Sequence, residues 1–191
     1  MTSFNRQRKT AFWVAIVTFA AIAAVRAASP GETFTATATV KSPNGNASMP
    51  VRISINQFAS DSERDAVVAL VRAGDAAATR KGLASRKDVG YIELGTRKTP
   101  IKYAYIRPTG SGRLITVLTA APLAFVGGAA PDAPSREGYD IALALLVLDA
   151  NGTGDGELAP AAKVKINEEG AVVTDHYNGE AVRLTQIAKA K

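Results

Sequence analysis

The strongest constraint on this chain is a strict alternation at residues 33–40, TFTATATV, with Phe34, Ala36, Ala38 and Val40 on one side and four threonines on the other. A period of two sends successive side chains to opposite faces of an extended strand, and β-branched threonine suits a half-buried pleat. Such a strand needs a sheet on which to bury its apolar side. Ser42-Pro43-Asn44-Gly45-Asn46 then supplies turn residues, and Val51, Ile53 and Ile55 alternate with Arg52, Ser54 and Asn56. Two neighbouring antiparallel strands follow from that pattern.

The period changes at Ser60. Ser60-Asp61-Ser62-Glu63 has the order of a capping box, and Val67, Val68, Leu70 and Val71 recur at helical spacing before Gly74. This predicts a helix over about 61–73, docked through Leu70, with a weaker second helix capped by Asp75 and running toward Ala84.

From Val89 the strand signals return. Val89–Leu94 is one; Ile101, Tyr103 and Tyr105 share a face of the next, which pairs with Leu114–Thr119 across the Pro108–Gly112 loop. Residues 122–138, rich in Pro, Gly and Ala, read as a loop. Ile141–Leu148, IALALLVL, reads as a central strand covered on both faces. Residues 163–167, Val172–Tyr177 and Val182–Ile187 add more strands, with a turn at Glu168-Glu169-Gly170. The expected fold is mainly β with some α: an antiparallel sandwich or partly open barrel of about eight strands, with a helical insertion near residues 60–85.

The chain has no cysteine, so packing and hydrogen bonds alone must hold the fold, and thiol catalysis and thiolate metal sites are excluded. Arg6, Arg8 and Lys9 precede the uncharged run Ala11–Val25, and Val25-Arg26-Ala27 is a small-residue cleavage site. That layout predicts a signal peptide over residues 1–27 and a single β-rich domain over 28–191, placed in the periplasm or outside the cell. The alternative is an uncleaved anchor, for which an apolar run of about fifteen residues is short. Removing the four cations of residues 1–27, which include no acid, lowers the formal charge from +6 to +2. A nucleic-acid partner is therefore not expected, nor is a stable membrane span after cleavage.

Few residues invite chemistry. Asp149–Glu157, DANGTGDGE, resembles the first half of a calcium loop, but Pro160 stands where the closing glutamate belongs, so a tight turn is expected and no metal site is assigned. His176 is the single histidine, and no Gly-x-Ser-x-Gly elbow accompanies it. Asp61, Glu63 and Asp65 sit where acids offset a helix dipole. No catalytic residue and no cofactor is predicted. Tyr103 and Tyr105 point the same way from one strand, and Tyr91, Tyr139, Phe34 and Phe58 could join them if the sheet curls. They are the candidate ligand-binding pair.

Ser62-Glu63-Arg64-Asp65, Val89-Gly90-Tyr91-Ile92 and Val182-Arg183-Leu184-Thr185 together resemble a group of uncharacterised secreted bacterial β-rich domains. The resemblance implies one exported domain with no assigned activity. The expected role is a non-catalytic binding or interaction module of the envelope, whose partner is a small apolar ligand or another envelope protein. The alternatives are a secreted hydrolase using His176 or a carboxylate pair, and a purely structural envelope component.

Overall fold

A computed structural model describes residues 29–42, 45–123, 138–166, 172–176 and 182–190. The expected signal segment, most of the expected 122–138 loop and the expected Glu168–Gly170 turn lie outside the described residues. Nine strands and two helices follow in the order β1 (Pro30–Ser42), β2 (Gly45–Gln57), α1 (Asp61–Arg72), α2 (Ala76–Ala84), β3 (Gly90–Leu94), β4 (Arg97–Pro108), β5 (Gly112–Thr119), β6 (Ile141–Asp149), β7 (Gly154–Ile166), β8 (Val172–His176) and β9 (Val182–Lys189).

Each strand from β1 to β7 pairs antiparallel with its successor, the helices being inserted between β2 and β3. The β6–β7 ladder together with β7–β9 and β9–β1 joins the two ends of the sheet, so the barrel closes where the sequence left a sandwich or an open barrel equally admissible. Eight strands line the closed wall. β7 is long enough to pair with β9 over Gly154–Leu158 and with β8 over Ala162–Ile166. Ala162 also pairs with Ile141, so β8 and β9 occupy the edge of β7 opposite β6 and form two halves of one returning strand.

The alternation at 33–40 does what its period demands. Phe34, Ala36 and Ala38 turn into the barrel with Ile53, Ile92, Ile115, Val117, Leu146 and Leu184, and these side chains fill the interior, as eight-stranded barrels allow. A second apolar cluster lies outside the wall, where Val67, Val71 and Leu83 of the helices cover Tyr103, Leu118, Ile141 and Leu143. The unbroken apolar run of β6 is thereby explained. Ala142, Ala144, Leu146 and Leu148 face inward, Ile141 and Leu143 lie under the helices, and Val147, at 58 % exposure, falls outside that cover.

Both helices form as their caps require. Ser60 accepts from the Glu63 amide, and Glu63 reaches back to the Ser60 amide at 2.8 Å. Asp75 accepts from the Ala78 amide at 3.0 Å, and Gly74, at φ +77°, makes the left-handed break between the helices. One expectation is corrected: Val67 and Val71 dock α1 on the wall, whereas Leu70 is half-buried and lies against Gly82 of α2. A β-carbon at position 82 would fall 2.6 Å from Leu70 Cδ2, so a larger residue there requires the Leu70 side chain to shift. Among the described residues no helix is long and apolar enough to cross a membrane.

Candidate functional site

Three charged side chains occupy inward-facing positions at one mouth of the barrel. Glu32 is in phase with Phe34 on β1, Arg113 with Ile115 on β5, and Lys189 with Ile187 on β9. Arg113 Nη1 donates to Glu32 Oε1 at 3.0 Å, and Lys189 Nζ donates to the same oxygen at 3.2 Å. Glu32 Oε2 is 2.8 Å from Arg113 Nη2, an ion contact whose angle does not make it a hydrogen bond, so this oxygen is buried without one. The guanidinium also lies 5.8 Å from the centre of the Phe34 ring, which supplies an apolar floor and a favourable π face. Burial alone pushes the Glu32 carboxyl up, but the hydrogen bonds and charges of Arg113 and Lys189 outweigh it and hold the group below the ordinary carboxylate range.

A cleft of about 400 Å³ opens beside this cluster, between the start of β1, the entry to α1 and the β4–β5 hairpin. Pro30, Phe58, Ile106 and Pro108 give it apolar surface, and Glu32, Asp61, Tyr105 and Arg113 give it polar groups. Asp61 and Tyr105 are linked, the phenol donating to Asp61 Oδ1 at 2.8 Å. Arg64 Nη1 donates to the same phenol oxygen at 3.3 Å, and its guanidinium lies over the Tyr105 ring at 5.5 Å. Burial, then the bond to Asp61, raises the Tyr105 phenol above its usual range, so it is a neutral donor at any ordinary pH.

The aromatic residues picked out from the sequence separate. Tyr105 and Phe58 line the cleft, while Tyr103 stacks on Tyr105 with centroids 6.4 Å apart and is covered by α1, at 4 % exposure. Phe34 is inside the barrel. Tyr91 lies on the outer surface opposite Ser54, with Lys98 Nζ 4.5 Å above its ring. Closure of the sheet divides them, because the parity of Tyr103 and Tyr105 faces out and that of Phe34 faces in.

The Asp149 loop is a turn held by its own carboxylate. Oδ1 accepts from the Asn151 and Thr153 amides at 2.8 and 3.0 Å, and Oδ2 accepts from the Thr153 hydroxyl at 2.8 Å. Those bonds, the Thr153 amide foremost, hold the carboxyl below its ordinary range. Among the described residues no three His, Cys, Asp or Glu side chains are grouped to hold a metal. His176 ends β8, and its imidazole lies outside the described part of the structure.

Glu32, Arg113 and Lys189 were not picked out from the sequence. Their signal was parity, since each continues the inward phase of an apolar strand and so places a charge on the side that must be buried. Compared with known proteins, the chain matches no family model, no curated protein and no solved structure. None of these comparisons supports the resemblance to exported bacterial domains.

Proposed function

We propose that the chain is an exported, non-catalytic binding module of the bacterial envelope, and that its ligand enters the cleft at the barrel mouth. The observation that carries this reading is the convergence, around about 400 Å³ of open space, of an apolar wall with a carboxylate, a phenol and a guanidinium fixed by their own hydrogen bonds. Polar groups held in place before a ligand arrives cost little ordering on binding, and a few of them in a largely apolar recess set orientation. The mixed lining favours a ligand with polar as well as apolar groups.

Binding is favoured over hydrolysis by the state of Glu32. A carboxylate pair working as acid and base needs one member protonated near neutral pH. Glu32 is instead ion-paired to two cations and shifted down.

The test is native mass spectrometry of the protein purified from its own host without denaturation. The expected result is a reproducible bound species, lost in Pro108→Trp, which places an indole at the exposed rim of the cleft. Wild-type protein without any bound species, and with no thermal shift in a screen of amino acids, peptides and sugars, would refute the proposal.

A further inference from the structure

The expected cleavage bond, between Ala27 and Ala28, stands immediately before Ser29, where the described structure begins. Ser29 is already bound into the fold. Its carbonyl accepts from the Phe58 amide at 3.2 Å, and Pro30 and Glu32 continue in register with Gln57 and Ile55 of β2. The two backbones press together here, since a β-carbon on Gly31 would collide with the carbonyl oxygens of Ile55 and Asn56. On the opposite edge of β1 the Thr33 carbonyl accepts from the Ala190 amide at 2.8 Å, and Glu32 is ion-paired to Arg113 and Lys189. The start of β1 is therefore held along both edges and by a charged cluster, and Phe34 follows it into the core.

An enzyme that cuts a peptide bond must first hold the chain around it, and an extended segment is held through its free main-chain groups. Two residues of chain span at most about 7 Å, so a catalytic centre at the Ala27 carbonyl of the folded protein would have to come that close to Ser29. Room can be made only by fraying β1, and fraying past Glu32 breaks the ion cluster as well as the ladder. Cleavage that depends on such a local opening proceeds in proportion to the population of the open form. We infer that, on the export reading proposed above, the leader must be cut before β1 docks, so that folding and processing compete for the same residues. Hydrolysis consumes one water and leaves a carboxylate on Ala27 and an amino group on Ala28. A chain processed first is released with its new amino terminus beside Ser29, which lines the cleft. A chain that folds first keeps its leader, and the four residue steps from Val25 to Ser29 then hold the cleft mouth within about 14 Å of the end of the apolar run.

The test exposes the folded full-length chain, in detergent micelles, to a bacterial signal peptidase and follows cleavage by intact mass. A synthetic peptide of residues 11–35 carries the same bond without the barrel. The peptide should be cut between Ala27 and Ala28, and the folded chain at least about tenfold more slowly. Inserting Gly-Ser-Gly-Ser-Gly-Ser between Ala28 and Ser29, with thermal melting to show that the barrel is retained, should bring cleavage of the folded chain close to the rate of the peptide. The inference is overturned if the native chain is cut as fast as the peptide, or if the folded insertion variant resists as well as its parent. Should the insertion disrupt the barrel, the native chain against the peptide still decides. A peptide left uncut would refute the export reading, and the inference would fall with it.

Discussion

Replacing Arg113 by methionine keeps an unbranched stem over Phe34 and removes the guanidinium that holds Glu32. The carboxylate left behind is only 14 % exposed, and its remaining partner is Lys189, whose side chain is 52 % exposed. Truncating one side of a fully buried pair costs about 3–5 kcal/mol, and an exposed pair contributes about 0–1 kcal/mol. This cluster sits between those limits, because Arg113 is 24 % exposed and one of its two contacts is poorly angled. A loss of about 2 kcal/mol at pH 7 is expected, or about 4–8 °C in Tm for a domain of this size. Glu32→Gln should cost about half as much, since an amide oxygen still accepts from Arg113, and the double variant should show a coupling of at least about 1 kcal/mol. The pH dependence gives an independent check. Glu32's folded pKa is depressed, so its stabilisation is fully present above the unfolded value and is lost as pH falls through the folded one. Arg113→Met removes the main cause of the depression, so the gap between wild type and variant should narrow as pH drops below about 4. Urea denaturation of the four proteins at pH 7 and pH 3.5 measures both effects. A cost below about 0.5 kcal/mol, or a gap that stays constant on acidification, would mean that solvent screens the cluster and that the burial argument is wrong.

Two further outcomes follow from the packing and the turn. Val71→Ala, at a position 3 % exposed against the wall, should cost about 1.5–3 kcal/mol, and Leu70→Ala, half-buried against Gly82, about 1 kcal/mol; chemical denaturation orders the two, and a larger loss at Leu70 would mean that α1 is held mainly through its Leu70 flank against α2. Calcium calorimetry should give no micromolar binding, because both Asp149 oxygens already accept turn donors, and a tight constant abolished by Asp149→Ala would contradict that geometry.

Local patterns were legible wherever one physical requirement acted alone. The 33–40 alternation, the Ser60–Glu63 box and the Asp75 cap each specify a conformation through near neighbours, and each element formed where its signal lay. β7 was hidden for the opposite reason. Gly154 and Gly156 read as loop, yet they lie in a strand pressed between β6 and β9, where a β-carbon on Gly156 would collide with the Leu145 carbonyl. Pro160 interrupts the same strand where the β6 register shifts between its Ala159 and Ala162 partners, a place where proline is tolerated. The cleft was half legible. Tyr105 was flagged from its strand, but the site needs Glu32 and Arg113, which lie far apart in sequence and meet only because the sheet closes.

Closure itself left one sequence trace, at Gln186. Val182 and Leu184 are buried at spacing two, and the next buried residue is Ile187, at spacing three. Thr37 pairs with Thr185 and Thr35 with Ala188, so two residues of β9 oppose the single residue Ala36 of β1. The extra residue is Gln186, at φ +54°, the one positive-φ position among the described residues that is not glycine. Without this bulge, strand parity would turn Ile187 out of the core and carry Lys189 away from Glu32. The strained backbone is thus coupled to both the core and the charged mouth. A left-handed conformation costs a non-glycine residue about 1–2 kcal/mol, whereas glycine adopts it freely and adds about 0.5–1 kcal/mol of unfolded-state entropy. Gln186→Gly should therefore be neutral or more stable by up to about 1 kcal/mol, and Gln186→Val should lose about 1–2 kcal/mol through its β-branch. Thermal denaturation of both variants reads the sign directly. Were valine tolerated as well as glycine, β9 would not need the bulge at this position, and the inward placement of Ile187 and Lys189 would need a different cause.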